Sequence, residues 1–433
     1  MTRGRLVLPG TRRVCLLPGL VAVMGLTVWI GLSVSPALAQ SHAPPSGLPP
    51  PATQAASGSA SSAAIPQPVS PMQWASQQAE GMSQSQIEQS WTQLVTQYGG
   101  YIPATEGTSW VSMFLPGHPG LSVMGVAQGL LRYLLQVLLD NGRLLGSILI
   151  LTVLAAVLEA MQTAFSSPLV SKTAFFLVYL VLIVMAISSF HAATAFAGSA
   201  INDMTGLMYG SLPVVLALIT ASGGLTSAAA FHPLIVFMVN AMGVLVHNWV
   251  FPMIFFSAVL SLVSVISERF RVSELADFMR TVTLAVLGIG MSAFLGVLTV
   301  QGTLTSVADG VTLRSAKFVA SAFIPVIGSA LKDASESILG ASLLIKNATG
   351  LASAVLLLLI CAYPALKIIG LSLIYRGAAA LLQPLGDTPV IAALGVVGKS
   401  LTLVFAALAA VGLMFFFSLV ITVAATNVTA FVR

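Results

Sequence analysis

The sequence predicts an all-α fold: a polytopic bundle of about seven or eight membrane helices, carrying an amphipathic helical segment and a disordered, exported N-terminal linker. Three observations predict it. Hydrophobic residues make up 57% of the 433 residues and charged residues only 7%. A water-soluble chain carries roughly a quarter of its residues as charges, so the bilayer is the solvent here. Apolar stretches long enough to span recur from Leu144 to Val428. The Lys and Arg residues also gather in alternate connections between those stretches, as a membrane orientation signal does.

The chain opens with Arg3, Arg5, Arg12 and Arg13, then the apolar run Val14–Val34, then Ala37-Leu38-Ala39. This order reads as a secretory signal peptide over residues 1–39, cut after Ala39; the other reading is an uncleaved first helix. Both place the chain from Gln40 onward outside the cytoplasm at its start. Residues 40–72 are rich in Pro, Ser and Ala and have too few large apolar side chains to repay ordering. Residues 73–142 form an extracytoplasmic region with one short helix. There Ser85 and Glu88 have capping-box spacing. Ile87, Trp91, Leu94, Val95 and Tyr98 share a face, and Gly99-Gly100 ends the helix. That face docks either on a partner or membrane surface, or on the chain's own bundle.

A spanning helix needs about 20 apolar residues. Residues 143–302 supply six such segments: Leu144–Phe165, Thr173–Ala197, Met204–Gly223, Phe231–Trp249, Val250–Ile266 and Thr281–Gln301. His247, Asn248 and Pro252 mark a turn between the fourth and fifth, which alternatively form a re-entrant pair. Residues 351–433 supply two more, Leu351–Tyr375 and Leu401–Thr426. With the N-terminus outside, Lys172, Arg269, Arg271, Arg280, Arg376 and Lys399 all fall on the cytoplasmic side. The net charge of +5 is thus mostly an orientation signal, and no basic run is dense enough for nucleic acid.

Residues 303–350 differ. Arg314, Lys317, Lys332 and Glu336 recur at helical spacing and make one polar stripe, interrupted at Pro325. Such a segment lies flat in the interface or turns its stripe toward a water-filled cavity or a partner. The four residues are therefore candidate pore-lining or partner-facing positions.

Catalysis has no visible constellation. There is no phosphate-binding loop, and His42, His118, His191, His232 and His247 share no ligand spacing. Cys15 lies in the signal run and Cys361 in an apolar helix, so neither a disulfide nor a cysteine metal site is expected after cleavage. Asp203, Asp277, Asp309, Asp333 and Asp387 read as loop or interfacial residues. No cofactor, metal or enzymatic activity is expected. The intramembrane polar candidates are Glu159, Asn240, His247 and Lys367. Glu159 either faces the bundle interior or sits near the headgroups. Asn240 and His247, seven apart, suit interhelical hydrogen bonding better than an ion site. Lys367 is placed to snorkel to the cytoplasmic interface. Gly288, Ser292 and Gly296 form a small-residue face for close helix packing, within the domain or between copies in a homo-oligomer.

Several long strings resemble the stage III sporulation protein AE family: YGGYIP from Tyr98, TSAAAFHPLIVFMVN from Thr226, SERFRVSELADFMR from Ser267, the run from Ala308 to Gly350, LLQPLGD from Leu381 and FAALAAVGLMFFF from Phe405. The resemblance covers the chain from about Ser85 onward. It implies residence in the mother-cell membrane around a forespore. It also implies membership of a channel-like assembly of stage III A proteins that meets stage II sporulation protein Q and is needed for late forespore development. It implies no catalytic residues. The alternative is a self-sufficient small-solute transporter with a site near Glu159, Asn240 and Lys367.

Overall fold

Helix is the regular structure throughout the described residues, which in this computed structural model are 86–102, 122–164, 169–221, 224–266, 272–323, 328–386 and 388–431. Helices satisfy every internal backbone N–H and C=O within the segment, which lipid requires. The expected signal peptide and linker, residues 1–72, lie outside the described residues.

Among the described residues, nine α-helices succeed one another. They are α1 Gln86–Tyr98, α2 Val123–Asp140, α3 Gly142–Ala164, α4 Leu169–Ala221, α5 Leu225–Leu245, α6 Phe251–Ile266, α7 Ser273–Phe323, α8 Gly328–Leu382 and α9 Pro389–Phe431. A 3-10 turn, Gly99–Tyr101, comes after α1. Seven of the described stretches are long and apolar enough to cross a membrane, with α5 and α6 counted as one. One of them, α2, falls in the region expected to hold a single short helix; its apolar run is interrupted by Gln128, Arg132, Gln136 and Asp140 at intervals of four. Only Asn141 separates α2 from α3, and hydrogen bonds from Asn141 to Val137 and from Leu145 to Asn141 carry the helix across it.

Two expected breaks are absent. Thr173–Ala197 and Met204–Gly223 are halves of one 53-residue helix, α4. Asn202 and Asp203 interrupt the apolarity there but not the backbone, because neither lacks an N–H and both sit on the helix exterior. Phe231–Trp249 and Val250–Ile266 are likewise continuous. The expected turn at His247, Asn248 and Pro252 is a wide π turn over Val246–Val250, closed by the Phe251 N–H donating to the Val246 carbonyl five residues back. Widening the turn accommodates the proline ring and its missing donor without ending the helix. Residues 303–350 are not a separate segment either. They divide into the end of α7 and the start of α8, each continuous with an apolar helix.

The long helices run as hairpins, which gives the bundle two ends. At one end, Ser171 donates to the Leu158 carbonyl, Tyr179 to that of Leu262 and Ser257 to that of Ala276. Lys172, Arg280, Arg376 and Lys399 lie toward this end, which is the basic end. At the opposite, far end, Asp309 meets Thr226 and Ser227, and Ser306 meets Ala425. Helices α8 and α9 are the most buried and pack chiefly on each other, with α4 against both. Buried hydroxyls bind the layers. Ser189 donates to the Tyr375 oxygen at 2.8 Å, and Tyr375 donates to the Met185 carbonyl at 3.2 Å. Close approach needs glycine at few places. At Gly412 a side chain would enter the sulfur of Cys361, so α9 can lie tight on α8 there.

Candidate functional site: a polar cleft under the N-terminal helix

The apolar face of α1 docks on the chain's own bundle. Ile87, Trp91 and Leu94 are buried against α4 and α8. Four tyrosines fasten this contact. Tyr98 stacks on Tyr363 with ring centroids 4.1 Å apart, and Tyr133 meets Tyr98, Tyr101 and Tyr363 edge-on at 5.5, 5.2 and 5.1 Å. Burial holds the Tyr98 hydroxyl above the ordinary phenol range, and the Asp203 carboxylate adds to the effect.

Between α1, α4 and α8 lies a cleft of about 250 Å³. Its polar lining comes from Gln93 and Gln97 of α1, Asn202 and Asp203 of α4, and Lys367 of α8. Leu94, Leu207 and Ile360 supply an apolar wall. The Lys367 Nζ lies 4.1 Å over the ring of Phe196. Neither Asp203 nor Lys367 has an ion-pair partner among the described residues.

The intramembrane polar candidates do not converge. Lys367 joins the cleft. His247 is exposed in the π turn; its ring lies beside Gly198 and edge-on to Phe251 at 6.4 Å. Asn240 is exposed on α5, not engaged between helices. A spacing of seven predicts a shared face for Asn240 and His247, and both are exposed rather than engaged between helices. Glu159 lies five residues from the end of α3, and its Oε2 is buried without a hydrogen-bond partner among the described residues. Arg314 and Lys317 fall in the last turns of α7, and Lys332 and Glu336 in the first turns of α8; their side chains lie outside the described residues.

Four of the aspartates that read as loop or interfacial residues in the sequence, Asp203, Asp277, Asp309 and Asp333, are helical. Asp203 is in the middle of α4, and its signal is the unbroken spacing of Ala200, Ile201, Met204 and Leu207 across it. Asp309 is buried in α7 at 1% exposure, where its carboxyl oxygens accept the backbone N–H groups of Thr226 (2.9 Å) and Ser227 (3.1 Å). Among the described residues, no three His, Cys, Asp or Glu side chains gather to hold a metal.

These features define a multi-pass helical membrane protein whose N-terminal helix folds back to roof a polar cleft. Residues 106–426 match the family described as Stage III sporulation protein AE. Stage III sporulation protein AE of Bacillus subtilis (strain 168) is 42% identical over 361 residues, covering 83% of this chain and 90% of that protein. No solved structure matches the chain. The chain belongs to the stage III sporulation protein AE family.

Proposed function

We propose that this protein is the polytopic membrane component of the stage III A sporulation assembly, which joins mother cell and forespore and supports late forespore development. It works there as an anchor or as part of a conduit, without catalysis of its own. Family membership supports the role. One structural observation supports an assembly over a self-sufficient transporter: the exposed apolar surface extends further than one bilayer can cover.

On α4, exposed large apolar side chains run from Phe176 to Ile187, near the basic end, and after that only Tyr209 follows. On α7 they continue through Val297, Val300, Leu304, Val307 and Val311, the last two 69% and 62% exposed. Asp309 fixes the depth of this stretch, because it lies against Gly224 beside Ile219. Ile219 is 32 residues beyond Ile187, or about 48 Å of helix. A hydrocarbon core is about 30 Å thick, so lipid that covers the α4 belt leaves the α7 surface to protein. An open apolar groove of about 490 Å³ between α7 and α9 lies there, lined by Gly302, Ser306, Gly310, Ile421 and Ala425. Gly288, Ser292 and Gly296 are also exposed on α7, and a side chain built at either glycine meets nothing within 4 Å. That small-residue face is therefore open to a neighbouring chain, either another stage III A protein or a second copy.

The orientation follows from the basic end. An exported N-terminus places Lys172, Arg280, Arg376 and Lys399 in the cytoplasm if α2 and α3 make one crossing through Asn141. The tyrosine cluster then sits near the outer headgroup level, where such rings are favoured.

Tagged protein purified from sporulating cells should bring down the other stage III A proteins, and Val307→Asp should reduce their recovery at least tenfold without lowering the melting temperature. Equal recovery with the variant would remove the far-end contact, and no co-purifying stage III A protein would remove the proposal. Arg314, Lys317, Lys332 and Glu336, at the far-end tips of α7 and α8, are proposed to face water or a partner. Single cysteines there should react with an aqueous maleimide in the isolated protein; inertness at all four positions refutes this placement.

A further inference from the structure

We infer that the cleft under α1 binds a small zwitterion, an ammonium joined to a phosphate or carboxylate by a short linker. The inference goes beyond the sporulation role and does not depend on it.

The cleft holds one negative and one positive side chain that do not neutralise each other. Lys367 is held by the face of Phe196, a favourable seat for an ammonium. Phe196 and Asp203 are seven residues apart on α4, two turns along one face and about 10 Å of rise. No ion pair joins Lys367 to Asp203 among the described residues. A bridging ligand makes a hydrogen bond of about 3 Å at each end and carries its two charges on a short linker. An aminoalkyl phosphate has that form. Its ammonium would meet the Asp203 carboxyl beside the Tyr98 hydroxyl, and its anion would meet Lys367. Gln93, Gln97 and Asn202 add amide donors and acceptors between the two ends. The cleft volume of about 250 Å³ suits a group of this size.

The same chemistry arrives from two sources: a free zwitterion, or the headgroup of an aminophospholipid in the outer leaflet. Both are tested on the full chain in phosphatidylglycerol nanodiscs. O-phosphoethanolamine is titrated in one arm, and phosphatidylethanolamine is added to the nanodisc in the other, with the melting temperature as readout. Stabilisation in the first arm identifies a free zwitterion; stabilisation in the second alone identifies the lipid headgroup. Ethanolamine and inorganic phosphate, which carry charge of one sign only, should bind at least tenfold more weakly than O-phosphoethanolamine. Asp203→Asn and Lys367→Gln should each weaken binding at least tenfold, while Lys367→Arg restores most of it. The inference is overturned if neither probe stabilises the protein. It is equally overturned if a probe of one sign matches the zwitterion on the unmodified chain, a comparison that needs no variant to fold.

Discussion

Replacing Asp309 with alanine should lower the stability of the bundle by about 3 kcal/mol, the largest loss expected from one polar side chain. Helix α5 starts at Leu225 behind Gly224, which has no side chain to cap it. The first N–H groups of a helix have no partner within the helix and cost free energy when buried. Asp309 supplies both acceptors from 83 and 82 residues away, at 2.9 and 3.1 Å, and is itself 1% exposed. Hydrogen bonds to a carboxylate contribute about 1.5–3 kcal/mol each, and removing it leaves the buried Ser227 donor and the part-buried Thr226 donor unpaired. The Asp309→Asn variant keeps one good acceptor and should lose about half as much. Unfolding in SDS, followed by circular dichroism, measures both. An alanine variant as stable as the parent would mean that water reaches the α5 terminus. Gly224 belongs to the same device, since a side chain there would press on the Asp309 Oδ2 at 3.3 Å and on Ile219.

Gly129→Ala should release the N-terminal helix from the bundle. A Cβ at Gly129 would fall inside the backbone carbonyl of Tyr101. Backbone does not yield as a side-chain tip does, so the 3-10 turn or α2 must move. Overpacking of this kind costs about 1–3 kcal/mol. The displaced Tyr98 and Tyr101 also give up ring contacts worth about 0.5–1.5 kcal/mol each. The total, about 3 kcal/mol, falls on the contact between α1, its 3-10 turn and α2, because the longer helices pack on one another without it. Limited proteolysis should cut residues 86–101 at least tenfold faster in the variant, with helix content unchanged. Gly100→Ala is the control: a side chain there meets nothing within 4 Å, and protection should persist. Unchanged protection in Gly129→Ala would show that the turn has slack.

Much of α1 is legible in the sequence. Its face of Ile87, Trp91, Leu94 and Tyr98 has helical spacing, and Gly99-Gly100 marks its end. Which surface receives that face is not legible, because Tyr133 and Tyr363 are distant in sequence. The expected breaks that the structure lacks have one cause. A polar pair or a proline between two apolar runs reads as a connection, and a bilayer-length ruler then divides each run. In α4 and across the π turn, the backbone continues because its hydrogen bonds are better kept than broken. The cleft is hidden for the same reason: with Asp203 read as a loop or interfacial residue, Lys367 has no opposite charge near it.

Composition and periodicity by themselves determined that lipid surrounds this chain and that its described residues are helical, since these depend on each residue's own solvation and on spacings of three or four. Tertiary structure alone decided that Asp309 caps α5, that Gly129 admits a turn, and that Asp203 and Lys367 share a cleft. Those relations join residues dozens to hundreds of positions apart, and no local propensity encodes the distance between them.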